Sequence, residues 1–144
     1  MKEILVQPTN HLLLFEQGED LMAELKAYAK KHQIASAWVN ILGACAEVTL
    51  AYYDLHTKTY EKHVIKEDLE ILGVMGNIAQ MNDEPALHLH GTFGKRDLSV
   101  IGGHIFSMII SASGETHLQL FTEKIERRFD EKTGLNLMQC AVSV

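Results

Sequence analysis

Three histidines, His88, His90 and His104, lie within ALHLHGTFGKRDLSVIGGH (86–104) and are the residues whose type and spacing best suit chemistry. On a strand, residues i and i+2 face the same way about 6.6 Å apart, so His88 and His90 can reach one ion placed above Leu89. If Lys95, Arg96 and Asp97 form a three-residue loop, the return strand sets His104 directly across from His88, and antiparallel partners share a face. The same register puts Gly102 across from His90, where a missing side chain leaves room for a ligand. A bulge at Gly102-Gly103 that slipped the register by one would turn His104 to the wrong face. Three neutral imidazoles suit Zn²⁺, or another divalent transition metal such as Fe, Ni or Cu, and leave a tetrahedral ion one open position. With no anionic protein ligand the ion keeps its full charge and attracts a carboxylate, a phosphate or hydroxide. The competing reading is that, with eight histidines in 144 residues, three on one hairpin are simply polar strand residues.

Other candidates carry weaker signals. Glu70, inside an apolar segment, is the best acid or base should the site be catalytic, because a carboxylate there faces either solvent or a polar site. Glu115 and His117 share one face of ETHLQLF and fit either outer-sphere partners or exposed residues. His11, His32, His56 and His63 fall in turns, at helix ends or at alternating positions and read as solvated. Cys45 and Cys140 belong to no Cys-x-x-Cys pattern and read as buried free thiols. No Gly-x-Ser-x-Gly, phosphate-binding loop, GxGxxG or cysteine-rich zinc motif is present, and no serine has an evident base beside it in sequence.

These residues must be positioned by a chain of ordinary composition. At 144 residues, 47% hydrophobic and 22% charged, it reads as a single domain over 1–144 with a buried core. No apolar run approaches the roughly 20 residues that span a bilayer, and MKEILVQPTNHLLLFEQGED lacks signal-peptide features, so the expected location is cytoplasmic. The net charge of −6 opposes phosphate-backbone binding. The basic pairs Lys30-Lys31, Lys95-Arg96 and Arg127-Arg128 read as dipole-compensating or solvated groups.

A short opening strand is expected over 12–15. GEDLMAELKAYAKKHQ then places Leu21, Met22, Leu25, Tyr28 and Ala29 at helical spacing, with Glu19 and Asp20 in the first turn and Lys30, Lys31 and His32 in the last. Strands follow at 34–42, 47–54, 59–65 and 69–81, then the histidine stretch, ETHLQLF, KIERRF and LNLMQCAV. One helix followed by many antiparallel strands is an α+β pattern. A single helix covers only one face of such a sheet, so oligomerisation is expected to cover the other.

The order of features resembles the PPC domain (plants and prokaryotes conserved) over roughly residues 10 to 140. The resemblance rests on Gly18-Glu19-Asp20 opening the helix, Ile41-Leu42-Gly43-Ala44, Leu69-Glu70-Ile71-Leu72, Gly76-Asn77-Ile78, His88-Leu89-His90 and Gly102-Gly103-His104. It implies a strongly curved, mainly antiparallel sheet with one main helix, assembled as a homotrimer. The fold is also similar to that of acetolactate decarboxylase, whose zinc is held by a His-x-His pair and a third His. That similarity favours metal at His88, His90 and His104 but does not by itself define a reaction.

Plant members pair the domain with AT-hooks, whereas this chain has no Arg-Gly-Arg-Pro. The plant Gly-Arg-Phe-Glu-Ile-Leu motif is matched by Glu67-Asp68-Leu69-Glu70-Ile71-Leu72, so Asp68 replaces a basic position. Leu14 stands where many members carry an Arg. The function expected is a homotrimeric, zinc-type metal protein open to a small anionic ligand, using metal-activated water or a polarised carbonyl if it is an enzyme. The alternative is a DNA-associated or transcription-related oligomerisation module without catalysis. A trimer whose histidines are only structural is the third reading.

Overall fold

The computed structural model describes residues 1–139, so Cys140 lies outside the described residues. The helix α1 (Leu21–Lys31) begins where Asp20 turns its carboxylate back to accept from the Met22 and Ala23 amides at 3.0 and 3.2 Å. Asp20 is thus the cap preceding the first turn, satisfying amides that have no partner within the helix. Leu21, Leu25, Tyr28 and Ala29 form its buried stripe. Gln33, with φ at 51°, ends the helix in the left-handed region.

The described residues also form nine strands: β1 (Lys2–Val6), β2 (Asn10–Glu16), β3 (Ser36–Asp54), β4 (Thr59–Ile65), β5 (Leu69–Met81), β6 (Glu84–Gly94), β7 (Val100–Phe121), β8 (Arg127–Asp130) and β9 (Leu135–Met138). The first seven make one antiparallel sheet in the order β1-β2-β7-β6-β5-β3-β4, and β7 pairs β3 a second time. This extra pairing closes β3, β5, β6 and β7 into a ring. It is possible because β3 and β7 are long and bent: the segments expected at 34–42 and 47–54 are one strand, with register shifts near Gly43, Cys45 and Thr49. Such bulges raise local twist and let a sheet curl onto itself. β1 precedes the opening strand expected over 12–15. All five of its residues are exposed, so it carries no buried alternation and is held by pairing to β2.

The interior is apolar and continuous, with Phe15, Leu25, Val39, Leu89, Phe93, Ile105, Met108 and Leu118 inaccessible or nearly so. Cys45 is a buried thiol within it, and burial pushes its pKa up to about 12. In β6 the inward positions are Leu89 and Phe93, each of which contributes roughly 1.5–3 kcal/mol by leaving water. Their alternation forces His88, His90 and Thr92 to the opposite, outer face. Apolar side chains remain exposed on the sheet, among them Leu42 (56%), Leu72 (57%) and Met75 (58%). No helix among the described residues is long and apolar enough to cross a membrane.

His11 corrects the reading of a solvated side chain. It is buried, its Nδ1 lies 2.9 Å from the Tyr28 hydroxyl, and burial together with nearby His32 lowers its pKa below the ordinary 6.5. The unfolded chain therefore binds a proton that the folded chain resists, so the contribution is full above pH 6.5 and is lost as pH falls through the lower folded value. Urea unfolding at pH 7 and pH 5 is expected to show a larger acid loss of stability for wild type than for His11→Gln. Equal losses would remove His11 as the cause.

Candidate metal centre

The three histidines meet on the outer face of the β6–β7 hairpin. One ring nitrogen from each falls within 4.8 Å of the others, the ring centroids are 5.0 to 5.3 Å apart, and His88 Nε2 lies 3.2 Å from His90 Nε2. Two nitrogens bound to one tetrahedral zinc ion at ordinary bond lengths are about 3.3 Å apart, so this spacing already fits a shared ion. His104 Nδ1 is buried without a hydrogen-bond partner among the described residues, a costly state for a polar atom.

The register differs from the sequence expectation. His104 stands across from His90, not His88, and Gly102 stands across from Thr92. The loop spans residues 95–99, because β6 and β7 pair only up to Gly94 and Val100. Asp97 accepts from the Ser99 amide at 3.0 Å and from its hydroxyl at 2.6 Å, while Leu98 takes φ of 65°. Both the expected and the observed loop are odd in length, so the shift is by two residues and His104 keeps its face. Nor is Gly102 open space beside an imidazole. A Cβ there would come within 2.7 Å of the Gly91 carbonyl oxygen, so the position serves close backbone approach.

Burial lowers His88 to about 4, helped by the Arg127 charge and by His90. Burial likewise lowers His104 to about 4, with His88, His90, Arg127 and Lys62 adding to it. Both imidazoles are therefore neutral at pH 7, which is the form that ligates a metal.

Arg127, read in the sequence as part of a solvated basic pair, reaches this site from β8. Its Nη2 donates to Asn77 Oδ1 at 2.7 Å and contacts His88 Nδ1 at 3.1 Å, and Nη1 donates to the Asn136 carbonyl at 2.9 Å. A guanidinium only donates, so His88 Nδ1 must accept and the His88 proton sits on Nε2, facing His90. Its neighbour Arg128 instead faces outward and pairs with Glu126 at 3.2 Å. The signal for Arg127 was strand alternation in ERRF, unreadable without knowing which face is covered.

Beside the histidines is a cavity of about 260 Å³ lined by Tyr60, His88, His104, Arg127, Leu135 and Leu137, among others. Tyr60 and Phe106 each place a ring centroid 5.0 Å from that of His104.

The remaining candidates stand elsewhere. Glu70 pairs with Gly94 near the other end of β5 and lines a separate hollow with Glu67, Asp68 and Lys95, whereas Met75 is the β5 residue beside His90. Five residues of strand separate Glu70 from Met75, about 16 Å, so Glu70 is not brought to the cluster. His117 bonds Asn10 at 3.0 Å and sits across from Asn40, while Glu115 is across from Leu42. Three strand spacings, about 14 Å, separate His117 from His90 along that row.

The fold and the site together define a class: a ring-closed, curved antiparallel domain with one helix on its covered side and an imidazole triad able to hold a metal ion on its outer face. A family model described as the Plants and Prokaryotes Conserved (PCC) domain matches residues 6–122, and the chain belongs to that family. This is the PPC family that the sequence motifs resemble.

Among solved structures, a protein of Bacteroides thetaiotaomicron provisionally described as DNA-binding is 31% identical, with 94% of each chain covered and a TM-score of 0.91. A metal-containing protein of Archaeoglobus fulgidus is 34% identical over 96% of this chain and 99% of that one, with a TM-score of 0.85. Acetolactate decarboxylase of Bacillus subtilis subspecies spizizenii shares the fold at a TM-score of 0.56 and 15% identity, covering 76% of this chain and 52% of that one. No protein of curated function matches the sequence.

Proposed function

We propose that this is a cytoplasmic, homotrimeric metal protein in which His88, His90 and His104 hold zinc, or another divalent transition metal, and leave a position open to a small anionic ligand. The observation that carries this reading is the convergence of three imidazole nitrogens within 4.8 Å on one face. The Archaeoglobus fulgidus relative, described as metal-containing, supports it. No cysteine or carboxylate joins the three histidines among the described residues, so the donor set is neutral and incomplete for a closed tetrahedral site. When bound, the metal supplies a Lewis acid with a vacant coordination position. The protein's part is to keep His88 and His104 unprotonated, to present His88 from β6 across from Asn77 on β5, and to shield one side of the cluster with Tyr60, Leu135 and Leu137. Exposed Leu42, Leu72 and Met75 support self-association, since a trimer would take such side chains out of water.

Metal analysis of untagged protein grown in metal-replete medium is expected to give about one zinc-type ion per chain, and sedimentation is expected to give three times the chain mass. Metal-free protein under those conditions would overturn the reading. The second reading, a DNA-associated module, draws on the description of the Bacteroides relative. Salt-sensitive duplex binding below micromolar concentration would favour it, but the net charge of −6 predicts none.

A further inference from the structure

The side chain least explained by the fold is Arg127. It is partly buried, yet it forms no ion pair among the described residues, and its Nε–H is buried without an acceptor. Its acceptors are all neutral: the Asn77 amide, the Asn136 carbonyl and His88 Nδ1. A desolvated cation held only by neutral groups is under-compensated, and a carboxylate is the partner that fits its planar fork. One of those neutral partners is also conditional. Ligation through His88 Nε2 requires the His88 proton to sit on Nδ1, and Nδ1–H can no longer accept from Arg127. A donor of the guanidinium is thereby freed beside the cavity. The cavity supplies the rest of the recognition, because Met81, Leu87, Leu135 and Leu137 line it with apolar side chains, and about 260 Å³ suits a molecule of a few carbons. Arg127 and the β8–β9 hairpin also lie beyond residues 6–122, the segment matched by the family model.

We propose that Arg127 is the ligand-recognition residue of this site, pairing with the carboxylate of a small aliphatic monocarboxylate whose apolar part rests against Leu135 and Leu137. The inference deepens the metal-centre reading by naming the ligand class, and it rests on that reading for the placement of the ligand beside the histidines. Arg127 accounts for binding with or without metal, because its charge is present in both states.

Calorimetric titration with butyrate, and with uncharged butyramide, on zinc-loaded and zinc-free protein tests it. Wild type is expected to bind butyrate and not butyramide. Arg127→Gln is expected to weaken butyrate about 10- to 100-fold, the worth of a charge-assisted hydrogen bond, with Arg127→Lys retaining part of the affinity. The lysine variant keeps the charge and guards against a loss that reflects misfolding alone. If zinc is not retained by wild type but butyrate still binds in an Arg127-dependent way, the metal reading fails and this inference stands. Equal butyrate affinity in wild type and Arg127→Gln, or no butyrate binding by wild type in either state, would overturn it.

Discussion

Replacing His88 and His104 together with alanine is expected to abolish stoichiometric zinc binding while the protein stays folded. Removing outer-sphere partners alone typically costs 10- to 100-fold in metal affinity, so losing two of three ligands should cost well beyond about 100-fold. The fold should tolerate the change because both imidazoles sit on the outer face, and the inward neighbours Leu89 and Ile105 keep the β6–β7 packing intact. Removing His104 also removes a buried nitrogen that has no partner among the described residues, so the metal-free variant loses little from that deletion. Equilibrium dialysis with zinc and thermal melting in chelator measure the two halves. A double variant that still holds one zinc per chain would place the ion elsewhere. One that no longer melts cooperatively would show that these histidines are structural.

Gly76→Ala is expected to damage both the fold and the site. Gly76 stands across from Leu89 on β6, and a Cβ added there would run into the backbone of His88, with Leu89 Cα only 2.9 Å away. Backbone cannot swing aside as a flexible side chain can. The β5–β6 separation must therefore widen at the residue that presents His88, at a cost of about 3 kcal/mol, the upper end for overpacking. Chemical denaturation should record that loss, and zinc titration should show weaker binding because the His88–His90 spacing of 3.2 Å depends on this contact. Wild-type stability in Gly76→Ala would mean that the two strands have slack that the close approach does not suggest.

Much of the site was legible because side-chain direction on a strand follows from parity. Leu89 and Phe93 had to face the core, so His88 and His90 had to face away from it. An odd loop then kept His104 on the same side whatever its length. The length itself was not legible: the Asp97 contacts to Ser99 and the left-handed Leu98 turn an expected three-residue loop into one spanning 95–99, and the partner of His104 becomes His90. The helix was legible for a related reason, since its apolar stripe and Asp20 cap are local. β1 was not, because a strand held by pairing alone leaves no burial pattern in its residues.

The sequence by itself determined which residues carry the chemistry and which face they occupy, because alternation, capping and loop parity act over a few residues. Only the tertiary structure decided what surrounds them. The second pairing of β7 with β3 sets Ala51 beside His104 and, through β4, brings Tyr60 against its ring. A hairpin more than twenty residues further along the chain carries Arg127 to His88, 3.1 Å away, while Glu70, on the same strand as Asn77, is left in a different hollow. These placements depend on how a bent sheet closes on itself, which is set by bulges and backbone approaches between segments far apart in sequence.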